Sequence, residues 1–243
     1  MWDSAAAQQK LKDRGQDIKA DGDFGPKSYA ALMAWVADKP APTPLMLQLG
    51  TACARHFPEA EINSPLRIAH NFAQACVETA KFKSLTENLN YNPAGLLKTF
   101  RGRISTADAQ KLGRQPGEAA PSPDRQAAIA NLVYGGAFGR RQLGNTEPGD
   151  GFRFRGRGWK QTTGRFNYGE VRRLTGLDVV SNPDQLTQPD MGVRAGCLFW
   201  AAKGCNALAD EDDVEKLTVR VNGGTNGLDE RRAALARARL VLL

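Results

Sequence analysis

The stretch from Ser64 to Lys83 constrains the fold most, because its apolar residues recur at helical spacing. Ser64 is a hydroxyl cap, and Pro65 follows at the position where a missing N–H costs a helix nothing. Ile68, Phe72, Ala75, Cys76 and Thr79 then recur at i, i+4, i+7, i+8 and i+11, one face of an amphipathic helix. His70, Gln74 and Glu78 form a polar stripe on another face, and the spacing predicts a helix that runs out near Lys83. Glu87 to Pro93 has loop composition. One carboxylate near a helix end and a second nine residues later suit an acid–base pair of the kind that cleaves a glycosidic bond. They suit a solvated surface helix equally, and the stretch alone does not choose.

A chain of 243 residues, 41% hydrophobic and 24% charged, has ample material for one large domain plus a small module. The readable elements are nearly all helical. No run approaches 18 apolar residues, and Met1 to Ser4 begins no signal peptide, so synthesis in the cytoplasm and release by another agent are expected. Cys53, Cys76, Cys197 and Cys205 lack C-x-x-C spacing, and His56 and His70 are the only histidines. No metal site and no cofactor are expected, and the thiols are expected free. Residues 1–44 carry six Lys/Arg and six Asp, so the net charge of +7 belongs to residues 45–243. Such a body suits a polyanionic partner: nucleic acid, acidic lipid or an anionic cell-wall polymer.

Ser4 to Arg14 and Lys27 to Ala37 read as two short helices around the turn Asp21-Gly22-Asp23-Phe24-Gly25-Pro26. The run Asp21 to Ser28 resembles the repeat of bacterial peptidoglycan-binding modules. That resemblance makes Asp21, Phe24 and Trp35 candidate cell-wall-binding residues, beside the alternative of a helical hairpin packed on the next domain. Lys39 to Pro44, with Pro40, Pro42 and Pro44, reads as a semi-rigid linker.

Further helices are predicted over 45–55, 105–112, 124–134, 168–175, 190–203, 210–219 and 228–243, with a helical turn near 95–100. The arginines of the last helix suit either solvent or an anionic membrane surface or lipopolysaccharide. Gly135 to Gly164 interleaves nine glycines with Phe138, Phe152, Phe154, Trp159 and five arginines. It suits aromatic stacking on nucleic acid, a short strand across Phe152–Arg155, or a turn close to a sugar. The insert Gly135 to Gln142 has no account at this level.

Three separated segments resemble glycoside hydrolase family 19, the chitinase-like enzymes, and among them the phage and prophage endolysins. Ala73-Gln74-Ala75-Cys76-Val77-Glu78-Thr79-Ala80-Lys81-Phe82 is similar to A-Q-x-x-H-E-[ST]-x-x-F, with Glu87 to Tyr91 giving the E-N-L-N-Y that follows. Phe154 to Thr163 resembles [FY]-x-G-R-G-x-x-Q-[LIT]-[ST], and Val221 to Gly224 the I-N-G-G loop. The resemblance spans about residues 60–240 and implies a mainly α, lysozyme-like catalytic domain with at most a small β element. It makes Glu78 the general acid, its pKa raised by partial burial, Glu87 the general base, and Thr163 the residue that helps hold the attacking water. It makes Gln161, Asn167, Tyr168, Asn222 and Arg231 substrate-binding. Val77 departs from the usual histidine. Lys81 stands three residues beyond Glu78 and is expected to point away or to contact substrate.

The expected organisation is a binding module over 1–38, a linker over 39–44 and the hydrolase domain over 45–243. The expected protein is a monomeric endolysin that cleaves β-1,4 bonds of bacterial peptidoglycan with inversion. It would be held in the host cytoplasm until a holin lets it reach the periplasm and wall, with no nucleic-acid partner. A chitinase and a non-catalytic wall-binding protein are the alternatives.

Overall fold

The computed structural model describes residues 2–243. Its helices are α1 (Ser4–Asp13), α2 (Pro26–Val36), α3 (Pro44–His56), α4 (Pro65–Glu78), α5 (Pro93–Thr99), α6 (Thr106–Leu112), α7 (Pro123–Val133), α8 (Gly136–Phe138), α9 (Asp150–Arg153), α10 (Arg165–Thr175), α11 (Pro189–Ala202), α12 (Cys205–Asp210), α13 (Val214–Asn222) and α14 (Leu228–Leu242). Proline opens α2, α3, α4, α5, α7 and α11. The side chains of Thr43, Ser64, Asn92 and Ser122 accept the N–H groups that those helix starts leave open. Extended pairing among the described residues is confined to the bridges Thr86–Arg157 and Arg157–Thr162. No described helix is long and apolar enough to cross a membrane.

The chain divides into two compact units: unit 1 is 1–85, 158–161 and 185–243, and unit 2 is 86–157 and 162–184. In unit 1, α4 lies against α14, α12 and α2. The rings of Phe24, Tyr29, Phe57, Phe72 and Trp159 follow one another edge to face at 5.2 to 6.1 Å, each pair adding about 0.5–1.5 kcal/mol to simple burial. Gly50 is required where α3 crosses α2, since a Cβ there would come within 2.3 Å of the Pro26 carbonyl. All four cysteines are buried free thiols.

Residues 1–38 share this core. Trp35 Nε1 donates to the Arg237 carbonyl at 2.7 Å, the Arg237 guanidinium lies 4.5 Å over the Trp35 ring, and Arg237 pairs with Asp38. Two helices alone bury too little apolar surface to be stable, and here α3, α4 and α14 complete them. Lys39 to Pro44 therefore joins elements of one unit and does not separate two packed bodies.

Unit 2 has its own core of Leu89, Leu96, Phe100, Ile104, Ile129 and Val133. The alternation at Phe152–Arg155 does not become a strand: Asp150–Arg153 is the helical turn α9, and Phe154 is buried beneath it. Two further boundaries differ from expectation. Gly204 starts an additional short helix, α12, and Asp213 caps α13 by accepting the Lys216 N–H, so that helix starts later than its acidic residues suggest.

Helix α4 ends at Glu78, five residues before its apolar pattern suggests. The Thr79 hydroxyl donates to the Ala75 carbonyl and accepts the Phe82 N–H. Ala80, Lys81 and Phe82 then all adopt left-handed backbone, at φ 50°, 64° and 55°. Each costs strain that an L-residue avoids elsewhere, and the fully buried Phe82 ring, stacked on Trp159 at 5.6 Å, holds the turn in place. Ala80 is exposed. Ala80→Gly is therefore expected to stabilise the protein by about 0.5–1 kcal/mol, read from denaturant melts. A destabilised variant would contradict the strain.

Candidate active site

In unit 1, the stop at Glu78 leaves its carboxylate at the end of α4 with α14 beside it. Arg231 of α14 is fully buried and donates from Nη2 to Glu78 Oε1 at 2.6 Å, the two side chains being 2% and 13% exposed. Its Nη1 donates to Gln74 Oε1 at 2.5 Å, and Gln74 Nε2 donates to Thr218 Oγ1 at 3.1 Å. The polar stripe of α4 is thus a buried network tied to α13 and α14, and its first member, His70, pairs with Asp212 at 2.8 Å. Arg231 fills the place behind the carboxylate and does not present itself to a sugar. Its remaining donor, Nε, reaches the Asn226 carbonyl at 3.4 Å.

Trp159, Lys160, Trp200, Asn71, Gln74 and Glu78 line a cavity of about 20 Å³, room for about one water. A Cβ on Gly196 would come within 2.8 Å of the Trp159 ring, so only glycine lets that ring seat and donate to Asn71 Oδ1 at 3.0 Å. The Lys160 ammonium lies 4.1 Å over the Phe199 ring. Burial pushes its pKa down, and the charge of Glu78 opposes that shift. Val77 lies against the Gly227 turn that starts α14, where a Cβ on the glycine would come within 3.0 Å of its Cγ1. Lys81 is exposed and off the helix, so its i, i+3 spacing does not bring it to Glu78.

Asn222 ends α13, exposed in the same loop as Asn226, to whose carbonyl its amide donates at 3.4 Å. Gln161 stands in left-handed backbone and donates to the Gly158 carbonyl at 3.1 Å.

In unit 2, the other carboxylate is held by the Gly–Arg–Gly turn. Glu87 N–H donates to the Gly156 carbonyl at 2.8 Å, and Gly156 N–H returns a bond to Glu87 Oε2 at 3.2 Å. The Tyr134 hydroxyl donates to Glu87 Oε1. Desolvation raises the Glu87 pKa above the ordinary glutamate value, against the opposing effects of Tyr134, Gly156, Arg155 and Arg103. A carboxylate so poised can take a proton near its own pKa, as a general base must.

Tyr134 is the site residue that sequence reasoning misses, and it explains the insert that follows it. Residues 136–143 form α8 and one wide π turn closed by left-handed Gly144. A Cβ on Gly139 would collide with the Tyr134 carbonyl, which accepts from Asn145 Nδ2 at 2.9 Å. The insert thus fixes the tyrosine backbone. As a general base Glu87 would have to be ionised to accept a proton, so in that role activity is expected to fall on the acid side through its raised pKa. Tyr134→Phe removes a donor that favours the charged form, so the acidic limb of kcat/KM should move to higher pH. An unshifted limb would remove Glu87 from the chemistry.

Thr163 lies in this unit, and its carbonyl accepts from Asn167 Nδ2 at 2.7 Å, which engages the Asn167 amide within α10. The expectation for Tyr168 is corrected. Its ring is fully buried, its hydroxyl donates to the Arg155 carbonyl at 2.8 Å, and Arg157 Nη1 donates to it at 3.1 Å. It supports the Gly–Arg–Gly turn from behind and is out of reach of a sugar. Among the expected wall-binding residues, Asp21 lines a groove of about 540 Å³ with Asp17, Asp23 and Lys27. Phe24 is packed between Trp2 and Tyr29, and the Trp35 indole is engaged by Arg237, so neither offers a free ring face.

This mainly α, lysozyme-like arrangement is shared with chitinase C from Streptomyces griseus, with a TM-score of 0.54 over 91% of this chain and 95% of the other, at 16% identity. A mutant of chitinase C gives 0.52 over 88% and 91%, at 15% identity. No family model matches the chain. A glycosyl hydrolase family 19 domain-containing protein of Haemophilus influenzae is 37% identical over 170 residues, covering 70% of this chain and 76% of the relative. The chain belongs to glycoside hydrolase family 19, and glycosidic hydrolysis is its class of activity.

Proposed function

We propose that this glycosidase is an endolysin that hydrolyses β-1,4 bonds between the amino sugars of peptidoglycan. Glu78 delivers a proton to the leaving oxygen, Glu87 deprotonates the attacking water, and Thr163 helps to hold that water, giving inversion at the anomeric carbon. The observation that carries the acid–base reading is the environment of Glu87: a desolvated carboxylate with a raised pKa, oriented by Tyr134 and Gly156. Arg231 fixes the position of the Glu78 carboxyl by donating from Nη2 to its Oε1.

The net charge of +7 favours an anionic wall over neutral chitin as substrate. Release from the producing cell through a membrane lesion belongs to the same reading. In α14, Arg231, Arg232, Arg237 and Arg239 are paired with Glu78, Glu215, Asp38 and Asp212, which leaves less free positive charge there for an anionic surface. The chitinase reading draws on the likeness to chitinase C.

Mass spectrometry of digested sacculi, run beside N-acetylglucosamine oligomers, separates the two. Disaccharide-peptide fragments that have each gained one water support the endolysin. Cleavage of the oligomers with intact sacculi would assign a chitinase.

A further inference from the structure

Unit 2 holds most of the positive surplus: residues 86–157 and 162–184 carry fourteen Lys/Arg against nine Asp/Glu. Arg125, Arg157, Arg165, Arg172 and Arg173 pair with carboxylates of the same unit. Arg103 and Arg155 form no such ion pair among the described residues. Instead their guanidiniums lie on aromatic faces. Arg103 is 4.5 Å from the Phe138 ring and 5.1 Å from that of Phe100, and Arg155 is 4.0 Å from the Phe152 ring. Stacking fixes the plane of a guanidinium; Arg155 Nη1 donates to the Phe152 carbonyl at 3.0 Å, and the other N–H groups of its edge are left for a planar anion.

Both arginines are half-buried and close enough for their charge to act on Glu87. Two cations beside one carboxylate leave positive charge uncompensated there, and burial together with Arg157 already pushes the Arg155 pKa down. A bound anion would relieve that cost. Arg155 also stands at the open position of the F-x-G-R-G run, so the motif itself does not demand it.

We propose that Arg103 and Arg155 form a subsite beside Glu87 that receives a free carboxylate of the stem peptide borne by the muramic unit of the substrate. The pair then sets selectivity for acidic over neutral amino-sugar polymers. This rests on the peptidoglycan reading above.

The test measures reducing ends released from intact sacculi, from sacculi whose carboxyls have been amidated with carbodiimide and an amine, and from amidase-treated strands, which lose the peptide acids and expose the lactyl acid instead. The parent protein is expected to prefer intact over carbodiimide-treated sacculi by about tenfold to a hundredfold, the discrimination that one or two charge-assisted hydrogen bonds supply. Arg103→Gln with Arg155→Gln should bring that ratio close to one, and Arg103→Lys with Arg155→Lys should restore part of it. Slower turnover of amidase-treated strands than of intact sacculi supports the peptide acid, and equal turnover would overturn it. Should the double glutamine variant keep the preference, the subsite is wrong while the peptidoglycan reading stands. Should the double variant fail to fold, Arg103→Gln alone decides by the same ratio. If the parent releases no ends from any sacculus preparation, it is the peptidoglycan reading that fails, and the subsite with it.

Discussion

Glu78→Gln is expected to lower turnover of any glycan substrate by about 10²–10⁴-fold, the usual contribution of a positioned general acid. Glutamine keeps an oxygen to accept from Arg231, so the geometry of the helix end survives while the transferable proton is lost. The melting transition should therefore stay near that of the parent, and the loss should appear in kcat more than in KM, because the interaction removed is one made in the transition state. Parallel assays on sacculi and on N-acetylglucosamine oligomers check this. A variant that degrades either at the parental rate would show that the proton comes from elsewhere.

The second large effect is structural. Arg231→Met leaves the Glu78 carboxylate and the Gln74 amide oxygen without the cation that both engage. Removing one partner of a buried ion pair costs about 3–5 kcal/mol, far more than the exposed pairs of α14, whose loss falls within about 0–1 kcal/mol. Denaturant melts of Arg231→Met against Arg232→Gln, the latter breaking exposed pairs to Glu215 and Asp229, give the comparison. The double variant Glu78→Gln with Arg231→Met should be less destabilised than the sum of its parts, since the charge left stranded by the arginine's loss is then gone. A loss below about 1 kcal/mol in Arg231→Met would mean that water replaces the guanidinium at no cost.

What the sequence makes legible here follows from how local each signal is. Proline after a hydroxyl or amide cap marks α3, α4, α5 and α7 within a residue or two, because the cap and the helix start are neighbours along the chain. The identity of Glu78 and Glu87 is equally visible, carried by motif rather than by periodicity. Their surroundings are not. Tyr134 reaches Glu87 across 47 residues and Arg231 reaches Glu78 across 153, and no local pattern encodes such partners. The alternation around Phe152 misleads for the same reason, since its rings are set by burial against the rest of unit 2 and not by strand pairing. The end of α4 is hidden too: three consecutive left-handed residues without glycine are disfavoured locally and exist only because Phe82 is anchored. The N-terminal hairpin reads as a module from its turn motif, yet its rings are consumed inside unit 1.

The interleaving of the chain bears on biosynthesis. Unit 1 is drawn from segments that lie before and after most of unit 2 along the chain, and the cation that holds Glu78 stands 153 residues beyond it. Glu78 can therefore acquire its partner only after the whole of unit 2 has been synthesised, and a chain that stops inside unit 2 would lack a finished helix end there. Any competence that depends on that ion pair would then arrive only after unit 2 and helix α14 beyond it have left the ribosome.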